Sequence, residues 1–164
     1  MKRWTLIAWA LTLALAAVGI FGKERVLARG DTVYLRLAPV DPRSLMQGDY
    51  MALNFAIGAA IRAAQPEGFE RRNGVAVIRL DAKREASFIR LHRDEPVAAD
   101  ERLLRFQTVE SRWGGRQVQV STDAYFFQEG QGARFEKARF GEFRVDGNGQ
   151  ALLVGLRGER MEEL

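Results

Sequence analysis

Residues 142–156 read EFRVDGNGQALLVGL. Glu142–Val145 and Gln150–Leu156 are short β-prone runs. Asp146-Gly147-Asn148-Gly149 between them is turn chemistry, because glycine reaches positive φ without steric penalty and Asp and Asn side chains bond their own backbone. The whole reads as a β-hairpin. The same grammar recurs upstream. Leu103–Trp113 and Gln117–Phe127 flank Gly114-Gly115, and strict alternation would put Val118, Val120, Thr122, Ala124 and Phe126 on one face. Thr32–Leu37 alternates Val33, Leu35 and Leu37 against Thr32, Tyr34 and Arg36. Tyr50–Ile57 alternates Met51, Leu53, Phe55 and Ile57 against Tyr50, Ala52, Asn54 and Ala56. Val75–Leu80 is an apolar run after the turn signal Asn73-Gly74, and Ser87–Arg93 is its expected partner strand. Two segments read as short helices, Ile57–Gln65, stopped by Pro66, and Ala133–Arg139. Arg93–Glu101 reads as an exposed loop. Strands at this spacing, without a βαβ rhythm, predict a mainly β (α+β) fold: an antiparallel sandwich or open barrel with one or two short helices.

The N-terminus obeys a different rule. Trp4–Phe21 (WTLIAWALTLALAAVGIF) is 18 residues without a charge. As a helix it would be about 27 Å long, enough to cross a bilayer core. Ala14-Leu15-Ala16 resembles a signal-peptide cleavage site, but the apolar run continues past it to Phe21, which favours an uncleaved anchor. Residues 1–23 are therefore expected to be a membrane anchor and residues 24–164 an extracytoplasmic β-rich domain. Glu24–Arg29 should extend the anchor helix and Gly30-Asp31 should end it. A short basic tail is easier to keep inside than a domain of this size, which orients the body outward.

Charge and rare residues narrow the function classes. The chain has 164 residues and a formal charge of +4. Lys2, Arg3 and Lys23 flank the apolar run, and no acidic residue precedes Glu24, so the body is close to neutral. No nucleic-acid partner is expected from such a balance. Cysteine is absent and His92 is the only histidine. That removes thiol chemistry and the common Cys and His metal sets, and no cofactor is expected.

The most distinctive stretch runs from Pro39 to Phe55. Pro42 fixes φ and biases Asp41 to extended geometry. Gly48 suits a tight turn, Asp49 can accept backbone N–H bonds there, and Arg43 can pair with Asp41 or Asp49. This reads as an ordered turn on which a ligand or partner site could be built. Gly48-Asp49-Tyr50-x-x-Leu53-x-Phe55 resembles the signature of the GDYXXLXY family, with Phe55 in place of the final Tyr. Val40-Asp41-Pro42-Arg43 is similar to the family's lead-in. Tyr125-Phe126-Phe127-Gln128-Glu129-Gly130-Gln131-Gly132, followed by Phe135-Glu136, is similar to its later segment. The resemblance spans about residues 25–157. It implies a single-pass protein of the bacterial inner membrane with a periplasmic C-terminal domain, an accessory to a multi-spanning membrane protein. Asp41, Arg43, Gly48, Asp49, Tyr50, Leu53, Phe55, Tyr125, Glu129 and Gly130 are the expected motif or binding residues, with the Asp41–Tyr50 loop as the contact to an integral-membrane partner.

Enzymatic readings are weaker. A signal-peptidase-like hydrolase needs a serine nucleophile and a buried lysine base. Ser44 precedes Asp49, but Lys23, Lys83 and Lys137 all lie outside continuous apolar runs. Glu129 and Glu136, with Asp123, could form an acid/base pair or a calcium site, yet read better as solvated carboxylates. His92, between Leu91 and Arg93, reads as a surface residue. The protein is expected to be non-enzymatic, with a small-ligand binding module as the alternative.

Overall fold

The structure is a computed structural model that describes residues 2–38, 46–47, 50–66, 73–110 and 116–164. Helix α1 (Lys2–Arg29) is unbroken for 28 residues, about 42 Å. Its apolar stretch has a mean hydropathy of 2.1, and none of it is buried against the rest of the chain. Trp4, Leu6, Ile7, Trp9, Leu11 and Phe21 are all exposed. A helix that is apolar all round and uncovered by protein matches a lipid environment, and α1 is long enough to cross one. Thr12 hides its hydroxyl by donating to the Ala8 carbonyl at 2.9 Å.

The last turn of α1 is built into the domain. Val26 is buried, and the helix end packs on β9 (Phe140–Val145) and β10 (Ala151–Arg157). Gly30 donates to the Val26 carbonyl at 2.8 Å. A Cβ at Gly30 would stand 2.5 Å from that oxygen and 3.0 Å from the Val145 nitrogen, so only glycine allows this close approach. The expected division at residues 23/24 thus falls inside one continuous helix, which ends at Arg29 as the sequence predicts.

Three antiparallel sheets follow, one of them curled into a half-barrel. The first has the order β1 (Asp31–Arg36), β9, β10. The second has the order β2 (Met46–Gln47), β3 (Tyr50–Ala52), β8 (Ala124–Phe126). The third has the order β5 (Ala86–Leu91), β4 (Asn73–Leu80), β6 (Glu101–Glu110), β7 (Arg116–Gln119). Two short helices, α2 (Ala56–Ala63) and α3 (Gly132–Phe135), complete the described elements. Val33, Leu35, Met51, Ile61, Ile78, Leu104, Phe143 and Leu156 come from all three sheets and α2 and form one core. The mainly β class, the antiparallel pairing and the short helices match the sequence expectation.

The hairpin at residues 142–156 forms as read. Asp146 Oδ1 accepts from the N–H groups of Asn148 and Gln150, both at 2.9 Å, and Gly149 takes φ +79°. Three expectations need correction. The Tyr50–Ile57 strand pairs only as Tyr50–Ala52, then makes a bridge from Phe55 to Leu37 before α2 begins at Ala56. Alternation still holds in its effect, since Met51, Leu53, Phe55 and Ile57 are all buried. Asn73-Gly74 is no turn but the start of β4, paired with Gln107 and Phe106. Gly74 is there to admit the Phe106 ring, whose Cζ would lie 2.3 Å from a Cβ at that position. The Gln117–Phe127 strand breaks at Ser121, where φ is +60° and the chain crosses from the third sheet to the second. The break resets the alternation, so Phe126 ends 75% exposed instead of in the core. The Arg93–Glu101 stretch is the exposed loop the sequence predicts, tethered at its end where buried Glu101 is held by Arg90 Nη1, 3.0 Å from each carboxylate oxygen.

Candidate functional site

The two motif segments, far apart in sequence, are adjacent strands. β3 pairs with β8 in the register Tyr50↔Phe126, Met51↔Tyr125, Ala52↔Ala124. Met46 and Gln47 pair with Met51 and Tyr50 on the other side. Directly opposed residues share a face, so Tyr50 and Phe126 emerge together, with ring centroids 5.7 Å apart. Tyr50 is half-buried and Phe126 is exposed. The other face points inward. Tyr125 packs on Phe135 at 5.2 Å, and Phe127 stacks on the same ring at 5.0 Å.

The remaining motif residues divide by role. Leu53 is buried, and its N–H donates to the Asp123 carbonyl at 2.7 Å. Phe55 is buried edge-on to Phe143 at 5.2 Å, and its ring fills the space that a side chain at Gly141 would need. Both are core residues and present no surface to a ligand. Glu129 and Gly130 form an exposed turn just after β8; Gly130 takes φ +83° with open space around it. Asp41, Arg43, Gly48 and Asp49 lie outside the described residues, as does Ser44. Glu129 and Glu136 are exposed, and among the described residues no cluster of three or more His, Asp or Glu could hold a metal ion.

A second site was not legible as such in the sequence. The outer face of the third sheet carries a cleft of about 790 Å³. Strand register explains its lining. Val75 opposes Arg105, and His92 donates its N–H to the Val75 carbonyl at 2.9 Å, so His92, Val75 and Arg105 form one row. Asn73 opposes Gln107 and Gln107 opposes Gln119, which makes a second row. The alternate residues Ala76, Leu104, Phe106 and Val118 point into the core. Gln150 closes one side, where the β9–β10 turn meets β6 through a bond from the Arg105 N–H to the Gly149 carbonyl at 2.8 Å. Arg93, Asp94 and Ser121 also line the cleft, and the latter two have positive φ of 66° and 60°.

His92 is thus no plain surface residue. Its side chain is 17% exposed, and its buried Nδ1, 3.8 Å from Glu95 Oε2, has no hydrogen-bond partner among the described residues. Arg105 donates through Nε to the Asn148 carbonyl at 2.9 Å. One signal could have found this face: Arg105 and Gln107 alternate with the core residues Leu104 and Phe106.

Next to the cleft, an ion-pair network ties the end of β5 to the start of β6. Arg90 contacts Glu101, Glu95 and the Pro96 carbonyl. The Arg90 guanidinium, with help from the Ala98 N–H, holds the Glu101 carboxyl below the usual carboxylate range. Backbone N–H groups, including that of Arg93, do the same for Glu95. On the first sheet, Glu142 is buried and is met by Arg157 Nη2 at 2.5 Å. These pairs have structural explanations, and none involves a nucleophile.

A family model described as GDYXXLXY protein matches residues 12–156. No curated protein and no solved structure matches the chain.

Proposed function

The chain belongs to the GDYXXLXY family, and on that premise we propose that it is a membrane-anchored, non-enzymatic accessory protein that assembles with an integral-membrane partner through the Asp41–Tyr50 loop and the strands beside it. The observation that carries this reading is the junction between anchor and domain. The apolar run ends at Phe21, and Val26 is already buried in the domain. That leaves about 7 Å of helix between the bilayer core and the folded body. A domain held so close, with no flexible linker, samples a thin layer at the membrane surface, which raises its effective concentration for membrane partners. On this reading the anchor stays uncleaved in a bacterial inner membrane and the body lies on the periplasmic side.

The aromatic step of Tyr50 and Phe126 supports the position of the contact. It stands on β3, which Tyr50 begins, and on β8, an outer strand of the described sheet. Edge strands and exposed aromatics are common recognition elements. A photo-crosslinking residue at position 126 in the full chain, activated in native membranes and followed by mass spectrometry, tests the proposal. Crosslinks to a multi-spanning protein are expected. Crosslinks confined to lipid and to the chain itself would overturn the partner assignment.

A further inference from the structure

We propose that the cleft on the outer face of β4, β6 and β7 is a binding site for a small carbohydrate, a mono- or disaccharide. The cleft lies apart from the Tyr50–Phe126 surface, and the inference does not depend on the partner contact. Its size, about 790 Å³, suits a small organic ligand. The amides of Asn73, Gln107, Gln119 and Gln150 line it. None of these side chains hydrogen-bonds elsewhere among the described residues. An amide offers an acceptor and two donors side by side, so it pairs with a hydroxyl in either direction. A row of uncommitted amides therefore recognises a polyhydroxylated ring.

The cleft is only weakly charged, since its lining sets Arg93 and Arg105 against Asp94. Arg105 also has its Nε engaged by a backbone carbonyl. Val75, half-buried on the same face as Arg105, supplies an apolar patch for the C–H face of a sugar ring. His92 lines the cleft with a side chain that is 17% exposed, while its buried Nδ1 faces Glu95 Oε2 at 3.8 Å.

His92 is the only histidine, so it reports on the cleft without ambiguity. The full chain, labelled with 13C-histidine and embedded in lipid nanodiscs free of glycosidic detergent, would be titrated with glucose, N-acetylglucosamine, maltose and, separately, citrate at constant pH. A saturable shift of the single Cε1–H signal with at least one saccharide is expected, and none with citrate. Gln107→Ala combined with Gln119→Ala should weaken saccharide binding about tenfold, as the loss of two hydrogen bonds implies. If that variant melts early, Asn73→Ala takes its place and should weaken binding in the same direction. No saturable shift with any of the three saccharides, equal binding by the variants, or a response to citrate alone would each overturn the proposal.

Discussion

Replacing Gly74 by alanine sets two effects of opposite sign against each other. Gly74 does not have positive φ, so its backbone accepts alanine. On that ground alone the change would stabilise by about 0.4–1 kcal/mol, through a less flexible unfolded chain. The structure adds a larger opposing effect. The new Cβ would meet Phe106 Cζ at 2.3 Å, and both Cε atoms at 2.8 and 2.9 Å. Ordinary carbon contacts are about 3.5–4.0 Å, so the ring must retreat by about 1 Å. Phe106 is only 3% exposed and belongs to the core, which leaves it little room. Overpacking of this kind costs about 1–3 kcal/mol. The net is a destabilisation of about 1–2 kcal/mol, or a fall in Tm of about 3–8 °C for a domain of this size. Thermal melts of the full chain, followed by circular dichroism, measure it. In a Phe106→Leu background the penalty should shrink to nearly zero, because the obstructing ring is gone. A Gly74→Ala protein that melts at or above wild type, or a penalty unchanged by Phe106→Leu, would refute the packing argument.

The other predictions concern separate parts of the molecule. Gly30→Ala should lower Tm by several degrees and more than Gly147→Ala, since its Cβ meets only backbone atoms of α1 and β9, whereas that of Gly147 meets open space; paired melts decide this. The Glu101 carboxyl is held below its ordinary range mainly by Arg90, so its contribution is complete above about pH 4.3 and is lost as pH falls below that value. A Glu101→Gln variant should therefore show a shallower loss of Tm between about pH 5 and 3 than wild type. Phe126→Ser should leave Tm within about 2 °C of wild type, because the side chain is 75% exposed, yet reduce co-purification of a membrane partner in mild detergent. Intact mass of protein taken from membranes should include α1; a species starting at Ala17 would show cleavage instead.

Much of the fold was legible because it rests on short-range rules. An apolar run with basic flanks becomes α1, since a bilayer-length stretch needs no tertiary partner to be recognised. Turn chemistry at Asp146–Gly149 and the alternation of Val33 and Leu35 or Met51, Leu53 and Phe55 determined hairpins and core faces, since both depend on residues a few positions apart. The motif was legible as a motif, although the sequence could not separate its core residues, Leu53 and Phe55, from its exposed ones.

Tertiary structure alone decided what depends on distant partners. Asn73-Gly74 has the composition of a turn, and only the Phe106 ring lying across it explains why glycine stands inside a strand. Ser121 looks like any strand residue, and only the change of sheet there moves Phe126 from the core to the surface. The pairing of β3 with β8 joins segments more than seventy positions apart, which no local pattern encodes. The cleft is of the same kind. Asn73, Arg105, Gln107 and Gln119 belong to three strands, His92 follows the end of a fourth and Gln150 sits in a turn, and it is the register between the strands that gathers them. Local sequence determined which way each strand turns its side chains, and long-range pairing determined which of those side chains meet.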